Sequence, residues 1–448
     1  MKIPLTKSKE HRHITSFQVI FLGFFLVILL GGLILTLPWA TQTGTSTPFL
    51  EALFTSTSAV CVTGLVVHDT ATYWSTFGQV IIMILIQIGG MGIVTIAVAL
   101  AVISGKKIGL RQRSTMQEAI AAPQVGGIVR MTGFILRTTF LIELLGAVSL
   151  STVFIPQFGF LRGVWYSLFH AVSAFCNAGF DLMGINEQYS SLTAYVSNPI
   201  VNLTIMSLIV IGGIGFATWD DIKERGRHIH KYRMQSKVIL CVTAFLILSA
   251  AVYFFFCEFS GMPLKERILA SFFQSVTPRT AGFNTIDYTT VSEVGIMVTI
   301  ILMVTGGSPG STAGGMKTTT VAVLFSTAIC VFRKKESANL FGRRLPDSAV
   351  KNAATVLMMY VVLFVSGGMV ISYIEDVPLL SALFETASAI GTVGLSLGLT
   401  TTLGTASRII LICLMFFGRV GGLTIIFAAL SERRAPVSKF PEGKITIG

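Results

Sequence analysis

Four glycines stand out by their setting. Gly64, Gly179, Gly282 and Gly394 each lie ten residues after a phenylalanine (Phe54, Phe169, Phe272, Phe384), with small residues between and an apolar residue following. The pairs ahead of them are Val62-Thr63, Asn177-Ala178, Thr280-Ala281 and Thr392-Val393. The chemistry available to such segments is that of backbone carbonyls. An ion leaving water needs oxygens in place of its hydration shell, and carbonyls supply them without net charge, so a monovalent cation is held but not trapped. Consecutive carbonyls turn toward one axis only where the chain takes φ > 0, which glycine tolerates. A short helix ahead of each glycine would aim its partially negative C-terminal end at the same axis. Four such segments around an axis would give rings of four oxygens.

A second repeated pattern lies downstream of each glycine. Leu85-Ile-Gln-Ile-Gly89-Gly90, Leu208-Ile-Val-Ile-Gly212-Gly213, Leu302-Met-Val-Thr-Gly306-Gly307 and Leu414-Met-Phe-Phe-Gly418-Arg419 align. In the first two copies the glycines read as close-approach positions between helices. The third copy departs from this. Gly306, Gly307, Gly310, Gly314 and Gly315, with Pro309, cannot continue a helix. Non-helical backbone at membrane depth survives only inside protein or along a wet cavity. In the fourth copy Arg419 replaces a glycine. A guanidinium at mid-span is costly, so it should face the interior and a partner. The broken loop, which runs on to Lys317, reads either as a structural kink or as backbone lining a cavity. Asp69 and Asp287, each five residues past one of the four glycines, and Asp181 are placed to concentrate cations at an outer mouth.

The elements that must hold these residues are membrane helices. The 448 residues are 52% hydrophobic and only 12% charged, against roughly 25% charged in soluble domains. Several apolar runs approach the roughly 20 residues that span a bilayer core. Pro48–Val62 is too short to cross and reads as re-entrant. The expected unit is span, half-span, span. It begins and ends on one side, so the four copies are parallel repeats about an axis along the membrane normal. Spans are predicted near 17–37, 77–103, 129–153, 199–219, 238–257, 294–332, 353–374 and 407–430. The fold class is thus an all-α polytopic membrane protein with eight crossing helices and four re-entrant ones. The divisions are 1–15, a cytoplasmic N-terminus; repeats 16–113, 114–230, 231–335 and 336–432; and a tail 433–448.

Charge gives the orientation. Most Lys and Arg residues fall in the N-terminus, 104–130, 221–237, 332–351 and the C-terminus, which places both termini in the cytoplasm of a cell-membrane protein. Arg162, Lys265, Arg267, Arg279 and Arg408 are left for the opposite loops. The net charge of +12 reads as this asymmetry and not as nucleic-acid binding. His228 and His230 read as part of a solvated face. The six cysteines form no CxxC pair and read as small apolar fillers.

These segments resemble the pore loops of the superfamily of K⁺ transporters that includes TrkH, HKT and KtrB, over residues 15–448. The supporting motifs are Ser275-Val-Thr-Pro-Arg-Thr-Ala-Gly-Phe-Asn284, the broken third-repeat helix and Phe417-Gly-Arg-Val-Gly421. Within that superfamily the chain resembles the membrane subunit of a bacterial Ktr system of the KtrB or KtrD type. The resemblance implies a K⁺-channel-like architecture and K⁺ uptake, with K⁺ held by backbone carbonyls of the filter. It also implies a homodimer on a cytoplasmic ring of RCK/KTN nucleotide-binding subunits, so that the nucleotide sits on the partner and no cofactor on this chain. The broken loop would be the gate. Each copy lacks the Tyr-Gly that completes a channel filter, which implies looser K⁺/Na⁺ discrimination. Gly64 stands where a Ser accompanies Na⁺ transport in plant relatives, which favours K⁺.

Two other function classes fit the sequence less well. A secondary transporter coupled to Na⁺ or H⁺ by alternating access would want inverted halves and buried acids, and only Glu143 lies well inside a span. An enzyme is disfavoured. Gly310-x4-Gly315-Met316-Lys317-Thr318 nearly matches a phosphate-binding loop, but Met316 displaces the lysine and the segment lies in an apolar span.

Overall fold

A computed structural model describes residues 15–104, 109–119, 127–185 and 187–429. The expected cytoplasmic N-terminal segment up to residue 14 and the tail with Arg433 and Arg434 lie outside the described residues. Each repeat is built from a long helix, a short helix and a broken helix. The first has α1 (Ser16–Leu35), α2 (Phe49–Val60), α3 (Thr76–Met91) and α4 (Ile93–Ile103), followed by a connecting α5 (Leu110–Ala119). The second has α6 (Ile128–Phe158), α7 (Phe160–Phe175), α8 (Pro199–Gly213) and α9 (Phe216–Arg225). The third has α10 (Met234–Tyr253), α11 (Leu264–Val276), α12 (Glu293–Val304) and α13 (Thr318–Phe332). A two-stranded hairpin, β1 (Asn339–Leu340) and β2 (Arg343–Arg344), leads to the fourth: α14 (Asp347–Glu375), α15 (Leu379–Gly391), α16 (Thr405–Val420) and α17 (Gly422–Ala429).

The interior mixes large apolar side chains, such as Phe54, Phe169 and Phe384, with many small polar ones. The four short helices α2, α7, α11 and α15 are enclosed, and Thr55, Ser56, Thr57 and Ser58 of α2 are all buried. Large apolar side chains also face outward, as Phe140, Leu141, Leu144 and Leu145 do on α6. An apolar exterior is what a hydrocarbon solvent favours. Small residues seat the short helices. A Cβ on Gly32 of α1 would lie 3.3 Å from Leu53 Cα, and one on Gly368 of α14 would lie 3.3 Å from Leu383 Cα. Hydroxyls then bridge the helices: Ser56 Oγ donates to Ile28 O (2.8 Å) and Thr386 Oγ1 to Phe364 O (3.0 Å).

The expectation of eight crossing helices, with the second helix broken in the third repeat alone, is corrected in its detail. Among the described residues four helices, α1, α6, α10 with its extension to Glu258, and α14, are long and apolar enough to cross a membrane. The second helix of every repeat is broken, not only that of the third. Helices α3 and α4 meet at 94° and α8 and α9 at 95°. Gly92, Gly215 and Gly421 sit at the breaks with φ of 83°, 91° and 87°, a conformation a right-handed helix cannot contain. Each is three residues beyond Gly89, Gly212 or Gly418.

Candidate ion filter and intramembrane loop

Each short helix ends beside the centre and the chain then turns sharply. Two left-handed residues shape every turn. The glycines have φ of 94° (Gly64), 68° (Gly179), 85° (Gly282) and 94° (Gly394). The residue two positions earlier is also left-handed: Val62 (51°), Asn177 (58°), Thr280 (68°) and Thr392 (50°). None of these is glycine, and three are β-branched, so each costs about 1–3 kcal/mol of strain that the surroundings must offset. Alternating handedness turns successive carbonyls to one side, where an ordinary strand would alternate them.

The four turns close into one ring. A Cβ added to Gly64 would fall 3.1 Å from Gly179 Cα, one on Gly179 2.9 Å from Gly282 Cα, one on Gly282 3.2 Å from Gly394 Cα, and one on Gly394 2.9 Å from Gly64 Cα. Each such Cβ would also strike the carbonyl oxygen ahead of the next glycine: Ala178, Ala281, Val393 and Thr63 in turn. The order around the ring is the order in the chain, as parallel repeats about one axis require.

The short helices clamp the turns. Ser58 Oγ accepts from Gly64 N and Ser388 Oγ from Gly394 N, both at 3.0 Å. The third repeat differs. Its turn is one residue tighter, with Ala281 N donating to Thr277 O at 2.9 Å where Thr63 N reaches back five residues to Ser58 O. The helix phase shifts accordingly. Phe273 is the buried aromatic and Phe272 is 39% exposed, which corrects the alignment on Phe272. Arg279 is corrected too. It is not in an outer loop but buried behind the third turn, its Nη2 donating to Thr243 Oγ1 at 3.2 Å.

Polar side chains on the short helices also hold the strands that leave the ring. His170 Nε2 accepts from Leu182 N (3.3 Å), Gln274 Oε1 from Tyr288 Oη, and Glu385 from Leu397 N (3.1 Å) and the hydroxyls of Ser396 and Thr400. In the first repeat Glu51 reaches His68 (2.7 Å) and crosses to Arg408 of α16 (2.9 Å).

Above the ring lies a cavity of about 370 Å³ lined by Gly64, Gly179, Gly282 and Gly394 together with Asp69, Asp181 and Asp287. The three carboxylates differ. Asp69 is buried and Oδ1 accepts from Ala71 N, Thr72 N and Thr72 Oγ1, while Oδ2 accepts from Tyr189 N at 3.0 Å. Asp287 is exposed and accepts from Thr289 N at 2.9 Å. Asp181 accepts from Met183 N at 2.9 Å. Burial, assisted by the neighbouring Asp69, pushes its carboxyl up to about 7.

Below the ring lies the loop between α12 and α13. Gly306 N donates to Met316 O (2.8 Å) and Thr318 N to Gly307 O (2.9 Å), closing the loop on itself. Its tip meets the glycine ring: Thr312 Oγ1 is 3.0 Å from both Phe175 O and Asn177 Oδ1. Gly314 packs on Thr392, where a Cβ would lie 2.9 Å from Thr392 Cβ, and Gly315 faces Gly391 O. The loop is also bonded to the breaks in the other second helices. Phe216 N donates to Gly310 O (2.7 Å), Ser308 N to Gly213 O (3.1 Å) and Gly315 N to Gly418 O (3.2 Å). Lys317 Nζ donates to Ala313 O (2.9 Å) and Gly314 O (3.1 Å). Arg419 binds the loop at Thr312 O and spans to Gly89 O and, at 3.2 Å, Gly90 O of α3. Its partners are carbonyls, as a buried guanidinium without a carboxylate requires. A second cavity, of about 260 Å³, is lined by Gly310, Ser311, Ala313, Lys317 and Arg419 and by no residue of the ring.

A family profile described as TrkH, cation transport protein, matches residues 6–436. The chain belongs to the TrkH family of cation transport proteins. It is similar to the potassium/sodium uptake protein NtpJ of Enterococcus hirae, at 42% identity over 99% of this chain and 100% of that protein. It is also similar to the Ktr system potassium uptake protein B of Bacillus subtilis, at 39% identity over 96% of each chain. In fold it is similar to the crystal structure of the potassium transporter TrkH from Vibrio parahaemolyticus, with a TM-score of 0.72, 19% identity and coverage of 94% of this chain and 85% of that one. The two chains therefore share a fold.

Some features of the site have no signal in the sequence. Val62, Asn177, Thr280 and Thr392 are marked by position, but their differing identities do not announce a left-handed backbone, and Ser58 and Ser388 are two of many small polar residues there. Thr312 is one of several small polar residues in the glycine-rich loop. A serine six residues before Gly64 and Gly394 was the available hint.

Proposed function

We propose that the chain takes up K⁺ through a channel-like pore whose filter is the ring of Gly64, Gly179, Gly282 and Gly394. The observation that carries this reading is the closed contact of the four glycines in chain order, with carbonyls of Thr63, Ala178, Ala281 and Val393 between them. Oxygens fixed in a ring replace hydration water without adding charge. The C-terminal ends of α2, α7, α11 and α15 lend partial negative charge. The potassium-uptake names of the relatives at 42% and 39% identity support the choice of ion. Asp69, Asp181 and Asp287 make the outer mouth negative.

The loop from Gly306 to Lys317 acts as the gate. It separates the cavity above from the cavity below, and Arg419 and Thr312 hold it in place. Basic loops place both termini in the cytoplasm of the cell membrane. The chain works as a homodimer on a cytoplasmic ring of nucleotide-binding subunits, and any nucleotide control enters through that ring. Uptake of K⁺, Rb⁺ and Na⁺ in cells lacking their own K⁺ systems tests the reading. K⁺ and Rb⁺ accumulation well above Na⁺ is expected, and absence of K⁺ uptake would overturn it.

A second reading, uptake coupled to Na⁺, draws on the potassium/sodium name of the NtpJ relative. It requires a fixed Na⁺:K⁺ stoichiometry, which the same assay reads.

A further inference from the structure

A groove runs up the outside of the molecule between α10 and α13. Its length is apolar, formed by Phe245, Leu246, Val321 and Phe325, and its end is formed by Arg333, Lys335 and Ser337; its volume is about 530 Å³. Phe245 is 68% and Phe325 69% exposed, so whatever fills the groove comes from the bilayer side. The charged end belongs to a larger cluster. Arg333, Lys334 and Lys335 follow α13, and Arg343 and Arg344 make β2; all five are exposed. Among the described residues none of the five is in an ion pair. Glu336 and Asp347 are the acids in the same stretch, and both are exposed, so the balance at the groove's end is positive.

We propose that this groove is a binding site for an anionic phospholipid of the cytoplasmic leaflet, with an acyl chain along α10 and α13 and its phosphate on Arg333 and Lys335. A basic pocket between membrane helices on the cytoplasmic side has the charge complement of such a headgroup. Snorkelling cations at the end of an apolar groove fit both parts of the lipid at once. A free phosphate would have no use for the apolar length, and a neutral lipid none for the cations.

The site is mechanically joined to the loop. Helix α13 begins at Thr318, whose N–H donates to Gly307 O and whose Oγ1 is 3.3 Å from Ser308 Oγ. A lipid wedged along α13 therefore bears on the end of the loop. This second step rests on the loop being a gate, whereas the lipid site does not.

The test uses the purified full-length protein. Native mass spectrometry compares retention of phosphatidylglycerol and phosphatidylcholine by wild type, by the double variant Arg333→Gln/Lys335→Gln, and by Cys241→Trp, which fills the exposed groove wall without changing charge. Wild type is expected to retain phosphatidylglycerol selectively, and each variant to lose about tenfold in retention. Equal retention of the two lipids, or retention unchanged in both variants, would overturn the site. So would efficient Cys241–Cys241 cross-linking between two copies, since a second chain would then cover the groove. Rb⁺ flux in vesicles with and without phosphatidylglycerol is expected to respond at least twofold in wild type and not in the double variant. Selective binding with unresponsive flux would overturn the coupling while leaving the lipid site standing.

Discussion

Thr312 Oγ1 lies 3.0 Å from Asn177 Oδ1, joining the tip of the intramembrane loop to the second strand of the glycine ring. Asn177 is itself one of the left-handed residues that shape the ring. The loop and the glycine ring therefore share a contact. Replacing Thr312 with Val keeps the volume and removes the hydroxyl. Loss of one buried hydrogen bond, about 1 kcal/mol, should raise Rb⁺ flux in reconstituted vesicles about fivefold. Unchanged flux would show that this contact does not hold the loop.

Arg419 ties the loop to α3 through carbonyls of Thr312, Gly89 and Gly90. A lysine is a point charge and cannot span both elements in the same way. Arg419→Lys and Arg419→Gln should both increase flux measured without any partner subunit, Gln by more than Lys. Size-exclusion chromatography of each variant separates an opened loop from a misfolded protein.

Ser58 and Ser388 each accept from the N–H of a ring glycine. Ala at either position leaves the ring's oxygens in place but loosens their spacing. The K⁺/Na⁺ uptake ratio should fall severalfold in each variant, consistent with about 1 kcal/mol per lost bond, and further in the pair. Total uptake of Na⁺ should rise or stay constant.

Asp181 adds a pH dependence to the mouth. Burial raises its carboxyl to about 7. It is therefore protonated and neutral below that value and negative above it, so attraction of cations should weaken as external pH falls from 8 to 6. The apparent K⁺ affinity of uptake should fall over that window in wild type, and Asp181→Asn should show the acid-limit affinity throughout. Asp287→Asn should lower affinity without removing the pH dependence.

Much of this arrangement was legible in the sequence, for identifiable reasons. The four Phe-x9-Gly segments are periodic, and the five glycines around Pro309 break any helix. Other parts were hidden by tertiary context. Gly92 and Gly421 bend their helices although Ile93–Ile103 and Gly422–Ala429 stay apolar, so composition carries on across the break. The adjacent Phe272 and Phe273 are equivalent in a pattern, and only the tighter turn at Thr277 selects Phe273. Arg279 looks like a loop cation in sequence; packing of the third turn against Thr243 puts it inside. Val62 and Thr392 are poor candidates for φ > 0 by propensity, and only the closed ring accounts for their strain.

The glycine ring itself is tested most directly by the K⁺:Na⁺ selectivity of uptake in single variants Gly64→Ala, Gly179→Ala, Gly282→Ala and Gly394→Ala, each verified as folded by size-exclusion chromatography. An added Cβ at any of them meets the neighbouring glycine's backbone within 3.2 Å. Every variant is expected to lose selectivity by about tenfold or more, the size of a 1.4 kcal/mol distortion. Wild-type selectivity retained in all four folded variants would contradict the ring as the ion filter.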